Sequence, residues 1–162
     1  YFKKEININE ILNIIANIGE NQNLSVQRDF LILNIIVQTG ITISELVKIT
    51  RDGILKNKIT SIYKIDYFMD NQLANKIEKF IKNNIDLNYL FTPFSRNHTK
   101  TNHLTARSVE TIIKKYFNGL SYNDLRSLHY KSLLNNLPNI KQINYHHVIK
   151  NIVNVESINE II

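Results

Sequence analysis

From Phe30 to Val37 every residue is apolar except Asn34, with Arg28-Asp29 on one side and Gln38-Thr39-Gly40 on the other. A run this short falls well below the roughly 18 to 20 apolar residues that span a bilayer, so it has to be buried inside a folded core. Asp29 to Gln38 is accordingly predicted to be a helix with an almost wholly apolar face, central to the core. Gly40 is placed to close it as a left-handed cap. No other stretch is longer or greasier, so no membrane partner is expected.

The segments around this helix set the fold class. Ile11, Leu12, Ile14, Ile15 and Ile18 recur at helical spacing, which predicts an amphipathic helix from Asn9 to Ile18 with Asn9 capping its first turn. Gly19 to Ser25 is polar and breaks the pattern. Thr42 followed by Glu45 has the form of a capping box, predicting a short helix from Ile43 to about Thr50. From Arg51 to Asp70 the apolar residues fall into short runs around the Asp52-Gly53 turn signal, which reads as a small antiparallel sheet. Helical period returns over Asn71 to Asn83, and Tyr89-Leu90-Phe91 is a short apolar segment ended by Pro93. Ser95 to Asn102 is a polar, basic loop. Thr105 is placed to cap a helix ending near Gly119, and Ser121 with Asp124 to start another through Leu125, Leu128 and Leu133. Pro138 suits the first turn of a further helix through Ile140 and Ile143, and the segment from Tyr145 to Val155 is also read as helix. The expected fold class is mainly α with a small antiparallel β-sheet. No repeat or linker is visible, so residues 1–162 are expected to form a single domain.

Composition narrows the function. With 43% hydrophobic and 21% charged residues the chain is not a disordered polymer, and its length permits a core of its own. The net charge of +6 and a pI near 9.4 favour a polyanionic partner. There is no cysteine, which excludes a disulfide framework and a thiolate metal site and fits a reducing cytoplasm. There is no signal-peptide pattern at the start.

Four segments, in order, resemble the catalytic domain of tyrosine recombinases and phage integrases. Arg28-Asp29-Phe30-Leu31-Ile32 through Thr39-Gly40-Ile41-Thr42-Ile43-Ser44-Glu45-Leu46 is similar to the family's helix and its Thr-Gly-Leu-Arg-Ile-Ser-Glu-Leu box. Leu90-Phe91, a polar loop and Leu104-Thr105-Ala106-Arg107-Ser108-Val109 are similar to its Leu-Phe segment and the helix after it. Asn123-Asp124-Leu125-Arg126 resembles the His-Asp-Leu-Arg box, and Leu133-Leu134 to Ile143 resembles the helices that follow. The resemblance implies a fold that clamps duplex DNA, and a reaction in which a tyrosine attacks a phosphodiester without a metal or other cofactor. It also implies an integrase-like catalytic domain over residues 1–162, with the helical arm that usually precedes it absent or removed.

The residues that chemistry needs are mostly missing. Two arginines hold the non-bridging oxygens in the family, a histidine and a lysine handle protons, and a further histidine or tryptophan steadies the phosphate. Thr42 stands at the first arginine and carries no charge. Asn123 replaces the histidine and does not titrate near neutral pH. Arg126 stands at the second arginine, where phosphate contact is expected rather than a structural ion pair. Ser61 falls at the sheet lysine in an ungapped register, with Lys64 the nearest substitute. Carrying the register on from Arg126 places Ile149 at the second histidine and Ile158 at the nucleophile. A two-residue deletion instead places His147 and Glu156 there. Neither register supplies a tyrosine, since the last one is Tyr145. His146 and His147 fit a buried pair, a phosphate contact or a metal site, and with no further ligands near them no metal is expected.

These substitutions predict a pseudoenzyme linked to recombination, integration and mobile elements, one that keeps its DNA contacts. Expected phosphate ligands are Arg126, Lys64, His147, Arg96, Lys100 and Arg107, with Lys56, Lys58, His98, His103, His129 and Lys131 alongside. The expected partners are double-stranded DNA and, through the C-terminal segment, a second copy or another recombinase protomer. Two alternatives stay open: an interaction scaffold derived from a recombinase, and an active recombinase whose tyrosine comes from elsewhere.

Overall fold

The computed structural model describes residues 7–83, 88–93 and 102–135. In chain order these form α1 (Ile8–Gly19), α2 (Leu24–Thr39), α3 (Ile43–Val47), a 3-10 turn (Arg51–Gly53), β1 (Ile54–Leu55), β2 (Lys58–Thr60), β3 (Asp66–Phe68), α4 (Asn71–Lys82), α5 (Ala106–Tyr116) and α6 (Tyr122–Asn135). The architecture is mainly α with one small antiparallel sheet, in the strand order β1-β2-β3.

α2 is the centre of the core. Ile32, Leu33, Ile35 and Ile36 are wholly inaccessible, and α1, α4, α5 and α6 all pack against it, so the helix is covered on nearly every side. It begins five residues before the predicted start at Asp29, because the Asn23 side chain accepts the Ser25 N–H at 2.9 Å and starts the helix inside the segment that reads as a break. α1 starts earlier too: Asn7, not Asn9, is its cap, accepting the N–H groups of Asn9 and Glu10. α3 ends at Val47 rather than near Thr50, and the chain after it pairs with a distant segment instead. Leu90 N–H donates to Ile49 O at 2.9 Å and Arg51 N–H to Asn88 O at 3.0 Å.

The sheet has one face in and one face out. Ile54, Ile59 and Tyr67 stand opposite one another across the three strands, with Ile59 and Tyr67 fully buried, while Leu55, Lys58 and Phe68 form the outward row. Thr105 and Ser121 are the caps predicted for α5 and α6, and Ser121 and Asp124 bond each other's backbone N–H groups in a full capping box. A buried carboxylate ties α2 to α5. Asp29 accepts from Arg28 at 3.1 Å and from the Tyr116 hydroxyl at 2.8 Å, with Lys115 at 3.8 Å, while Arg28 also donates to Thr92 O. No helix among the described residues is long and apolar enough to cross a membrane. The helices expected after Pro138 and from Tyr145 lie outside the described residues, as does nearly all of the Ser95 to Asn102 loop.

Candidate nucleic-acid interface

The site is built at the corner between α2 and α3. Gly40 turns the chain with φ +66, and a Cβ there would stand 2.5 Å from His129 Cδ2, so both the left-handed backbone and the close approach of α6 require glycine. α6 crosses this corner and lays one stripe of side chains on it: Tyr122, Arg126 and Tyr130, spaced four residues apart on one face. The Tyr122 hydroxyl donates to Ile41 O at 2.8 Å, Arg126 Nε to Gly40 O at 2.7 Å and the Tyr130 hydroxyl to Gly40 O at 3.3 Å. The Arg126 guanidinium also lies 5.5 Å from the centre of the Tyr130 ring.

Directly after this corner stands Thr42. Its hydroxyl accepts the Glu45 N–H at 3.4 Å as the cap of α3 and donates to Glu45 Oε1 at 2.6 Å. The Tyr67 hydroxyl, from β3, donates to the same oxygen at 2.7 Å. Glu45 is only 2% exposed, and its Oε2 has no hydrogen-bond partner among the described residues. Thr42, α3 and the sheet are thereby joined through one buried carboxylate, and the threonine hydroxyl is occupied on both its donor and acceptor sides.

The tyrosines lining this corner are held in the protonated form. Burial raises the Tyr67 hydroxyl far above its usual value, helped by the bond to Glu45 and by that carboxylate's charge, with Arg126 acting in the opposite direction. Burial raises Tyr122 and Tyr130 as well, again opposed by Arg126. These hydroxyls serve as hydrogen-bond donors to main chain and carboxylate.

The expected residues fall into three groups. Thr42, Arg126 and the corner they share are brought together; Asn123 lies one helical turn before Arg126, exposed, with no hydrogen bond from its side chain among the described residues. Lys64 is exposed at the tip of the β2–β3 connection, and Ser61 beside it is buried, its hydroxyl accepting the N–H groups of Tyr63 and Ile65. Arg107 is exposed on the first turn of α5. Arg96, Lys100, His147, Glu156 and Ile158 lie outside the described residues, together with His98 and His146. His129 corrects its expected role: it is buried against Gly40 rather than turned to solvent, because the packing of α6 on the corner covers it. Arg126 contributes structure as well as charge, since its Nε bonds to Gly40 and its side chain hydrogen-bonds that of Tyr130. Sequence reading missed Tyr67, Tyr122 and Tyr130, and found Glu45 only as the capping partner of Thr42. The four-residue spacing of Tyr122, Arg126 and Tyr130 was the available signal for three of the members of this corner. No cluster of three or more His, Asp or Glu side chains that could hold a metal occurs among the described residues.

A central buried helix, a polar corner at its end, a crossing helix that brings an arginine to that corner and a three-stranded sheet closing one side define the catalytic-domain fold of tyrosine recombinases. The crystal structure of XerA recombinase is similar with a TM-score of 0.68 and 16% identity, covering 81% of this chain and 50% of that one. The Tn1549 transposon integrase in complex with circular intermediate DNA is similar with a TM-score of 0.63 and 15% identity, over 90% of this chain and 59% of that one. The lambda integrase catalytic core follows with a TM-score of 0.57 and 14% identity, over 88% of this chain and 89% of that one. This chain thus spans about half the length of the XerA and Tn1549 proteins and nearly the whole of the lambda catalytic core. No protein-family model matches the chain, and no curated protein matches it by sequence.

Proposed function

We propose that this chain is a DNA-binding protein on a tyrosine recombinase fold that contacts duplex phosphates around Arg126 and does not cleave them. One observation carries the reading. At the position where the reaction needs a guanidinium, the Thr42 hydroxyl is bound on both sides to Glu45, whereas the retained Arg126 keeps its charged fork at the same corner. A hydroxyl so engaged offers no charge to a developing phosphorane, and losing one preorganised donor typically lowers rate by about a hundredfold or more. Asn123 removes a proton donor, and burial raises the pKa of the corner tyrosines Tyr122 and Tyr130, the first buried and the second half-buried. The DNA-binding half of the reading is supported by the net charge of +6, by the exposed Lys64 and Arg107, and by similarity to an integrase solved with circular intermediate DNA. The same resemblance supports a role beside recombination and integration systems, as an accessory or remnant partner of active recombinases.

The test combines binding and trapping. Affinity for a short duplex should fall steeply with salt, and Lys64→Ala and Arg107→Ala should each reduce the salt slope by about one, because each removes one phosphate contact without touching the core. A nicked suicide duplex should yield no covalent protein adduct under conditions where binding is demonstrated. An adduct would refute the loss of cleavage, and weak binding indifferent to salt would favour an interaction scaffold instead.

A further inference from the structure

Among the described residues five large apolar side chains are exposed, and four of them, Leu55, Ile62, Tyr63 and Phe68, belong to the small sheet and its β2–β3 connection. Leu55 and Phe68 lie on the outward row with Lys58 between them. Ile62 and Tyr63, 40% and 62% exposed, sit at the tip of the connection. This tip is not a loose loop. Lys64 N–H donates to Ser61 O and Ser61 N–H to Ile65 O, both at 2.9 Å, while the Ser61 hydroxyl accepts two further N–H groups from the tip. Those bonds make a three-residue hairpin loop whose last position is left-handed, and Lys64 occupies it with φ +61. Glycine or asparagine is the unstrained choice there, so a lysine is held in a strained backbone with its charge beside two exposed apolar side chains. Lys56, in the β1–β2 turn, is the other residue of this kind, with φ +54. The acid of the sheet, Asp66, is engaged with Thr60 and Lys58.

An apolar and aromatic tip on a rigid turn, with the exposed Lys64 as its last residue, matches the chemistry of stacked bases flanked by phosphates. A protein strand is a poor match for this surface, because strands of two and three residues offer too short an edge to extend. The geometry points to a base-step wedge: Ile62 and Tyr63 enter between base pairs of duplex DNA at a step that unstacks easily, and Lys64 neutralises the adjoining phosphate. This rests on the DNA-binding reading above and adds to it where the duplex is deformed and by which side chains.

The wedge is tested with two duplexes of identical length, one fully paired and one with a single central mismatch, bound at several salt concentrations. Unstacking is easier at the mismatch, so the wild type should bind that duplex about five- to tenfold more tightly. Tyr63→Ser should melt within a degree or two of wild type, since the ring is exposed, and should bind both duplexes alike with an unchanged salt slope. Lys64→Gly should melt a few degrees higher, because the backbone strain is relieved, yet bind both duplexes more weakly with a slope lower by about one. Equal affinity of the wild type for the two duplexes, or an unchanged preference in Tyr63→Ser, overturns the wedge while salt-dependent binding stands. Absence of salt-dependent binding to either duplex instead brings down the DNA-binding reading itself. Self-association that Tyr63→Ser abolishes, without any change in duplex preference, would assign this surface to a second copy and likewise overturn the wedge.

Discussion

Thr42 shows how one side chain can tie the start of a helix to a sheet through a shared buried carboxylate. In its surroundings a hydroxyl is satisfied by accepting the Glu45 N–H and donating to the Glu45 carboxylate, and the carboxylate in turn gathers the Tyr67 hydroxyl. Thr42→Val removes a helix cap and one donor to a buried oxygen, and should destabilise the protein by about 2 to 3 kcal/mol in urea unfolding. Duplex affinity of the folded variant should stay at the wild-type value, and a selective loss of affinity would return Thr42 to the binding surface. Gly40 is constrained differently, by backbone and by space at once. Gly40→Ala forces a left-handed alanine and a Cβ against His129, a combined loss of about 2 to 4 kcal/mol, and wild-type stability in that variant would contradict the tight crossing of α6.

The elements are held by a few buried polar ties laid over a general apolar core. α2 is fastened to α5 through Asp29, which is 2% exposed and receives Arg28, Tyr116 and Lys115. Removing the carboxylate takes one acceptor from a part-buried guanidinium, which keeps its bond to Thr92 O, and the acceptor of the Tyr116 phenol, so Asp29→Ala should cost about 3 to 5 kcal/mol. A loss below about 1 kcal/mol by chemical denaturation would mean the cluster is only a surface pair. α6 is fastened to the α2–α3 corner by its stripe of Tyr122, Arg126 and Tyr130, so this helix is both the floor of the candidate interface and the carrier of its retained cation. Arg126 is therefore a poor single probe of DNA contact, because its replacement disturbs the corner too. Lys64 and Arg107 are cleaner probes, being exposed.

Across the whole molecule, Tyr67, Tyr116, Tyr122 and Tyr130 share one direction of shift, burial first in each case. An unfolded tyrosine releases its proton near pH 10, whereas these hold theirs to higher pH in the fold. Above that pH the native state binds more protons than the unfolded chain, so stability falls as pH rises; below it this contribution is fully present. Denaturation midpoints should accordingly be insensitive to these groups up to about pH 9 and drop steeply beyond pH 10. Phenolate absorbance should show the four ionising together with unfolding. Independent titration of all eight tyrosines of the chain near pH 10 in the folded protein would refute the buried hydroxyl network.

What the sequence determined by itself was whatever follows from local pattern. The apolar run of α2 required a central helix, Gly40 and the Thr42-Glu45 pair marked its end and the next beginning, and alternating short runs marked the sheet. The family resemblance, carried over residue by residue, set Thr42 and Asn123 where it implies an arginine and a histidine. Helix starts were misplaced where an asparagine bonded its own main chain ahead of the apolar period, as Asn7 and Asn23 do. Only tertiary structure decided that Arg126 leans on Gly40, that Tyr67 and Thr42 converge on one Glu45 oxygen, and that Lys64 stands in a left-handed turn beside an exposed tyrosine. The reason is physical: a capping box or an apolar stripe is written within about four residues, while the Tyr67–Glu45 and Arg126–Gly40 bonds join groups 22 and 86 positions apart and the Lys64 turn depends on how the hairpin closes, which packing alone arranges.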